Sequence, residues 1–380
     1  MEYVRLKDIG QIITGNTPPT SKPEYYGDYM PFIKATDIPI GVKCTLVTEQ
    51  SYSKLAAEKY KKSLVPKGST CVVTIGSIGK KMTYAHTDLF VNQAINAIVP
   101  KDSYDNEYIF YNVRCSVLPQ LKKLDSGTTS GRENISKTSF SSIRIPVIKD
   151  KNVQRRIGVI LSTYDSLIEN NTKRIRLLEK MAENLYKEWF VRFRFPGHEK
   201  VEMENGLPKG WKYVNFGKLS PIVTGKKDAN FASPNGKYKF FTCSKADLMA
   251  DSYSFDCFAI ILAGNGDLNV KLYKGQFEAY QRTYVLTPYD ISHIYISYYT
   301  IQSELDRLLV GAAGAVIKFL TKGMIEKIKI VVPDQSLLRK FNIMLDANFK
   351  IRQNLIAQNT LLARQRDLLL PRLMSGKLEV

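Results

Sequence analysis

The sequence predicts an α+β protein in which two tandem, pseudo-twofold-related α/β domains are joined by two long antiparallel coiled-coil helices. Three observations carry this: an internal repeat, a mixed strand and helix pattern inside each copy, and a 3.5-residue apolar period in the segment after each copy. Tyr3 to Gly15 (YVRLKDIGQIITG) aligns without a gap on Tyr213 to Gly225 (YVNFGKLSPIVTG), with five identities and three exchanges of one apolar residue for another. Asn92-Gln93 with Pro100 matches Tyr280-Gln281 with Pro288, and the run from Ile143 (IRIPVIKDKNVQRRI) matches that from Ile328 (IKIVVPDQSLLRKF). Matches kept in one order mean two copies of one module separated by loop deletions.

The first module is placed at residues 1–150 and the second at 196–334. Ser69 to Ile75, Asn96 to Val99, Phe258 to Ala263, Arg282 to Leu286 and Ile328 to Val332 have the β-branched or aromatic character of strands. Gly76, Gly79, Gly264 and Gly266 punctuate them as turns. The stretches Gly15 to Ser21, Ser126 to Gly131 and Gly225 to Gly236 read as exposed loops, where recognition residues usually sit.

Asp150 and Asp334 each follow a strand-like run and precede a helical pattern, so each is placed as an N-cap. Residues 151–195 form the first long helix. Its apolar positions step by four and three through Ile157, Leu161, Tyr164, Ile168, Asn171, Ile175, Leu178, Ala182, Leu185 and Trp189, a coiled-coil seam with one polar member, Asn171, of the kind that fixes register. From about Asn152 to Phe190 it would be roughly 57 Å long. Residues 335–380 repeat the spacing more weakly in Met344, Asn348, Ile351, Leu355, Gln358, Leu362, Gln365 and Leu369, and Pro371 bends or ends the helix. Two such helices pack most simply on each other, with a module at each end of the rod. The alternative is that each lies across its own module.

Composition narrows the function. Lys plus Arg number 55 against 36 Asp plus Glu, a net charge of +19, and the cations are interspersed with 22 Tyr and 17 Phe. That field and those rings suit a polyanion, nucleic acid first among them. No apolar run is long enough for a membrane span, and Met-Glu-Tyr-Val-Arg opens without a leader. Five widely spaced cysteines without a C-x-x-C pair fit neither a disulfide framework nor a zinc site, so a cytoplasmic protein without membrane contact is expected.

The chemistry of catalysis is hard to find. His86, His198 and His293 are not spaced as metal ligands, and no metal site is expected. Gly76 to Lys80 (GSIGK) lacks the spacer and the following Ser or Thr of a phosphate loop. Asn16 to Thr20 (NTPPT) is not the tetrapeptide that holds an extruded base in a DNA methyltransferase. A binding and positioning protein, not an enzyme, follows.

Further stretches carry a family likeness. Gly206 to Trp211 (GLPKGW) opens the second module and Leu369 to Gly376 (LLPRLMSG) closes the chain, beside Gln154 to Ile157, Leu185 to Phe190, Thr14 to Pro18, Gly76 to Lys80 and Asn92-Gln93. In this order they resemble the specificity (S) subunit of type I restriction-modification systems along essentially the whole chain. The second module departs from the pattern, with Gly225-Lys226-Lys227 for Gly15-Asn16-Thr17 and Tyr280-Gln281 for Asn92-Gln93, which leaves its loop contacts open.

The resemblance implies a non-catalytic subunit whose two target-recognition domains each read one half of a bipartite double-stranded DNA site, while the helices act as spacers and dock two modification (methyltransferase) subunits. Restriction (motor-nuclease) subunits would join them. No cofactor is expected on this chain; S-adenosylmethionine, ATP and Mg are expected on the partner subunits. Two other readings of the residues stay open: a stand-alone DNA-binding or coiled-coil scaffold protein, and a methyltransferase or nuclease of unusual motif. The loop residues expected at DNA are Asn16, Thr17, Lys34, Ser77, Lys80, Thr128, Thr129 and Arg132 in the first module, and Lys226, Lys227, Asn230, Lys245, Asn265 and Arg282 in the second.

Overall fold

The computed structural model describes residues 1–125, 133–311 and 319–380. The chain divides into two units, Met1–Lys173 with Leu355–Val380, and Arg174–Asn354.

In the first unit, Gly10–Thr14, Ile95–Pro100, Thr70–Val73 and Met82–Tyr84 form an antiparallel sheet in that order. Thr70–Val73 (TCVV) is buried on both faces, which suits its β-branched side chains. A second sheet runs Tyr26–Gly27, Gln50–Tyr52, Met30–Ile33, Phe90–Val91, with only the last pair parallel. Glu2–Arg5 pairs antiparallel with Arg144–Val147, bringing the two ends of the module together.

The second unit repeats this topology. Ile222–Thr224, Thr283–Leu286, Phe255–Ala263 and Val270–Ala279 take the places of the first sheet. Tyr238–Phe241 pairs parallel with the end of Val270–Ala279, as Met30–Ile33 does with Phe90–Val91, and Leu248–Ala250 stands where Gln50–Tyr52 stood. Because Val270–Ala279 is unbroken where the first unit has two short strands, the second unit has one six-stranded sheet instead of two four-stranded ones. Lys212–Asn215 pairs with Lys329–Val332, the counterpart of the terminal ladder. The match extends to single bonds: Leu6 N–H donates to the Ile143 carbonyl at 2.9 Å and Phe216 N–H to that of Ile328 at 2.8 Å.

Both N-caps form. Asp150 Oδ1 accepts from Asn152 N–H at 2.7 Å, and Asp334 Oδ1 from Leu337 N–H at 2.9 Å. The central helix spans Lys151–Tyr186 and continues as a π-helical turn, Lys187–Val191. The C-terminal helix spans Gln335–Met374. Of the two expectations for Pro371, that it bends or ends the helix, the ending is overturned, since the helix runs on to Met374. Leu370, Leu373 and Met374 are buried in the first unit's core with Tyr108, Phe110, Ile157 and Leu161, which holds the last turn in place. Gly376, at φ 68°, then supplies the left-handed residue that ends it.

The two helices pack on each other and run antiparallel. In the first unit Asn171 Nδ2 donates to Gln358 Oε1 at 3.4 Å and Asn359 Nδ2 to Thr172 Oγ1 at 3.3 Å; in the second, Asn348 Nδ2 donates to the Leu178 carbonyl at 2.9 Å. The central seam is as expected. Ile157, Leu161, Asn171 and Trp189 are buried, and Tyr164, Ile168, Ile175, Leu178 and Leu185 partly so.

The C-terminal seam needs correction. Leu355 is buried and Asn348, Leu362 and Leu369 are partly buried, but Met344 is 49% exposed and Ile351 44%. The inward positions are each one residue later: Leu345, Arg352, Asn359 and Arg366. Arginine at a buried seam is unfavourable unless paired, and the central helix supplies the partners. Arg352 Nη2 donates to Glu179 Oε1 at 2.6 Å, and Arg366 bonds Asp165.

Candidate nucleic-acid interface

At one end of each sheet the connecting loops are laced together by backbone hydrogen bonds. In the first unit, Gly15 N–H donates to the Ile95 carbonyl at 3.1 Å and Asn16 N–H to that of Val91 at 2.9 Å. Gly15 has no room for a side chain, since a Cβ would lie 2.1 Å from the Val91 oxygen. Tyr52 Oη and Tyr26 Oη donate to the carbonyls of Asn16 and Pro18, each at 2.8 Å, and Tyr52 stacks on Phe90 with centroids 4.4 Å apart. Burial pushes the Tyr52 phenol well up, so it stays a donor. An aromatic cluster thus holds the Asn16-Thr17 loop from beneath.

The backbone lacing recurs in the second unit. Gly225 N–H donates to the Thr283 carbonyl at 3.1 Å, and a Cβ on Gly225 would lie 2.0 Å from the Ala279 oxygen. Gln281 N–H donates to the Lys227 carbonyl at 2.9 Å. The turn after the central strand also repeats. Thr74 N–H bonds the Ala94 carbonyl at 2.8 Å and Gly264 N–H that of Arg282 at 2.9 Å; Ile75 bridges Asn134 where Asn265 bridges Phe319.

On this scaffold Asn16, Thr17, Lys34 and Ser77 all sit on loops adjoining Val91–Ala94. Asn16 and Ser77 are exposed; Thr17 Oγ1 is bonded to Gln93 Oε1, and Lys34 is paired with Glu49. Lys80 closes the same hairpin as Ser77 but stands beside Val42 and Arg114, lining a hollow of about 290 Å³. Thr128, Thr129 and Arg132 lie outside the described residues. In the second unit Lys226, Asn230, Lys245 and Arg282 are exposed. Lys227 lies over the Phe231 ring, 4.4 Å from its centroid. The Lys245 loop is tied down by Lys271 Nζ donating to the Ser244 carbonyl at 3.0 Å and by Asp247, held by Lys239 at 2.6 Å and Lys271 at 2.8 Å. Burial pushes the Asp247 carboxyl up, but the two lysines outweigh it and keep it below the usual range.

Asn265 and Arg282 come together. They line a cavity of about 440 Å³ with Thr224, Gln281, Tyr284 and Phe319. Sequence reasoning did not assign Gln93, Gln281, Thr224 or Phe319 to the interface. The repeat had singled out both glutamines, and each now stands on a loop with its side chain bonded to a neighbour, Gln93 to Thr17 and Gln281 Nε2 to Asp228 Oδ1 at 2.7 Å. Phe319 had no signal, because only the fold brings it against Asn265.

Among the described residues no group of three or more His, Cys, Asp or Glu could hold a metal ion, and no helix is long and apolar enough to cross a membrane. All five cysteines are free; burial alone pushes the Cys71 thiol up to about 12.

Residues 1–180 match the model of the type I restriction modification DNA specificity domain. The type I restriction enzyme MjaIX specificity subunit of Methanocaldococcus jannaschii is 26% identical, the match covering 99% of this chain and 93% of that protein. The EcoDI specificity subunit of Escherichia coli is 35% identical over 45% of this chain and 39% of its own length. A crystal structure of the type I restriction-modification S subunit from M. genitalium shares the fold, with a TM-score of 0.61 at 18% identity, covering 98% of this chain and 95% of the other. The first 180 residues thus match a type I restriction modification DNA specificity domain, and the chain as a whole is similar from end to end to a type I specificity subunit and shares the fold of an S subunit.

Proposed function

We propose that this chain is the sequence-reading, non-catalytic subunit of a cytoplasmic type I complex, and that residues 1–150 and 196–334 each read one half of a bipartite double-stranded DNA target. The observation that carries this is the repeated loop scaffold, built by the same backbone bonds but bearing different side chains: Asn16-Thr17 against Lys226-Lys227, Ile75 against Asn265 and Ala94 against Arg282. A shared frame with unlike side chains is what two readers of unlike half-sites require, because base edges differ in donors and acceptors while the backbone of DNA does not.

The long helices, on this reading, set the spacing between half-sites and dock two modification subunits, which hold S-adenosylmethionine. Motor-nuclease subunits bring ATP and Mg. The net charge of +19 supplies the phosphate attraction.

Adenine-methylation mapping in a host carrying this chain and its modification subunit tests the proposal. A two-part motif is expected, and exchanging residues 1–150 for those of another specificity subunit changes one half and leaves the other. Both halves changing together would refute independent modules. Lengthening both helices by one heptad is expected to change the preferred gap or abolish activity; an active variant with the original gap would show that the helices do not measure DNA.

A further inference from the structure

Arg282 stands at the loop end of the second module with a fixed backbone and a free head. Its carbonyl accepts from Gly264 N–H at 2.9 Å and from Cys243 Sγ at 3.4 Å, whereas its guanidinium has no hydrogen-bond or ion-pair partner among the described residues. The cavity beside it is walled by Tyr284, whose Oη donates to the Leu320 carbonyl at 3.0 Å, and by Phe319, 62% exposed. Gln281, whose Nε2 donates to Asp228 Oδ1 at 2.7 Å, lines the same cavity.

The equivalent place in the first module is different. Asn96 replaces Tyr284 in the strand register, and it uses its polar atoms internally: Thr14 Oγ1 donates to Asn96 Oδ1 at 2.6 Å and Asn96 Nδ2 donates to Thr74 Oγ1 at 2.8 Å. Ala94 and Ile75 occupy the positions of Arg282 and Asn265. Neither of these two side chains is a cation.

Resting on the reading of the chain as a DNA specificity subunit, we infer that Arg282, whose counterpart in the first module is Ala94, is a specificity-determining residue that reads a guanine in the half-site of the second module. A guanidinium fork matches guanine O6 and N7, the two adjacent acceptors of its major-groove edge. A phosphate contact would explain the charge but not the setting. An exposed aromatic wall gains nothing beside a phosphate, whereas it can pack on an apolar base edge such as a thymine methyl next to the guanine.

Selection of methylated sites from randomised duplex DNA, using the full chain with its modification subunit, tests this with Arg282→Ala and Arg282→Gln. The unaltered chain is expected to select a two-part motif with a G·C pair in the half that changes when residues 196–334 are exchanged. Arg282→Ala loses the preference at that pair alone, by roughly 5- to 150-fold, and Arg282→Gln moves it toward A·T, since glutamine matches adenine. An unchanged motif, a lost position that was not G·C, or a weakening equal for all sequences with a shallower salt dependence would each overturn the inference. If the unaltered chain selects no motif, the proposed function itself falls, and the inference with it.

Discussion

Arg366 of the C-terminal helix is bonded through Nη1 to Asp165 Oδ1 of the central helix, with side chains only 3% and 5% exposed. The Tyr111 phenol donates to the other carboxylate oxygen, and Arg366 also holds Asp367 at 3.0 Å. Breaking such a pair leaves a charge buried alone, so Asp165→Ala is expected to destabilise the protein by about 3–5 kcal/mol. Replacing both ions by leucine, with Tyr111→Phe to avoid an orphaned hydroxyl, is expected to recover most of that, because apolar groups of similar volume often substitute at no net loss. Denaturant unfolding of the single and triple variants measures both. A silent Asp165→Ala would mean the pair is not closed in solution.

The corrected seam makes a second contrast. Leu355 is 4% exposed and Leu355→Ala is expected to cost about 2–5 kcal/mol; Ile351→Ala, at a side chain 44% exposed, is expected to cost under about 1 kcal/mol. Unfolding curves that reverse this order would restore Ile351 to the seam.

Gly15 and Gly225 test the loop scaffold. A methyl group at either meets a carbonyl oxygen about 2 Å away, backbone that cannot turn aside. Gly15→Ala is therefore expected to displace Asn16-Thr17 and relax selection in the first half-site only, and Gly225→Ala in the second only. Methylation mapping of the two variants reads this directly, and a loss shared by both halves would argue against it.

Salt dependence separates free lysines from engaged ones. Lys226 is exposed without a partner among the described residues, whereas Lys34 is bound to Glu49. Lys226→Ala is expected to lower the slope of log affinity against log salt by about one, the signature of one lost phosphate contact, and Lys34→Ala to leave it nearly unchanged. Titrations at several salt concentrations with the assembled complex decide it; equal slopes would remove Lys226 from the contact map.

Acid should loosen the Lys245 loop. The carboxyl of Asp247 ionises more readily folded than unfolded, so its contribution is full above the unfolded value of about 3.9 and is lost as pH falls through the lower folded value. With the group part-exposed, the effect is expected to stay within about 1 kcal/mol. The protection factors for hydrogen exchange across residues 242–248 are expected to fall as pH drops below about 4 in the parent and to be low throughout in Asp247→Asn. Protection factors that do not change with pH in the parent would contradict this.

The repeat, the strands, both aspartate caps and the central seam were legible because they depend on local chemistry: β-branched runs, a carboxylate before a helix, and leucines and isoleucines every 3.5 residues. The C-terminal seam was misread by one residue at alternate positions because a periodicity argument rejects arginine inside. Only the antiparallel pairing, which sets Asp165 and Glu179 opposite Arg366 and Arg352, makes those positions inward. Pro371 does not end the helix, for a similar reason: loss of one backbone donor is a local cost, and burial of Leu373 and Met374 in a core assembled from residues far away in the chain outweighs it. At the interface the exposed loop residues could be named from composition, but their grouping could not. Asn265, Arg282 and Phe319 share one cavity through hydrogen bonds between strands and loops distant in sequence, and that pairing is a property of the folded sheet rather than of any segment in it.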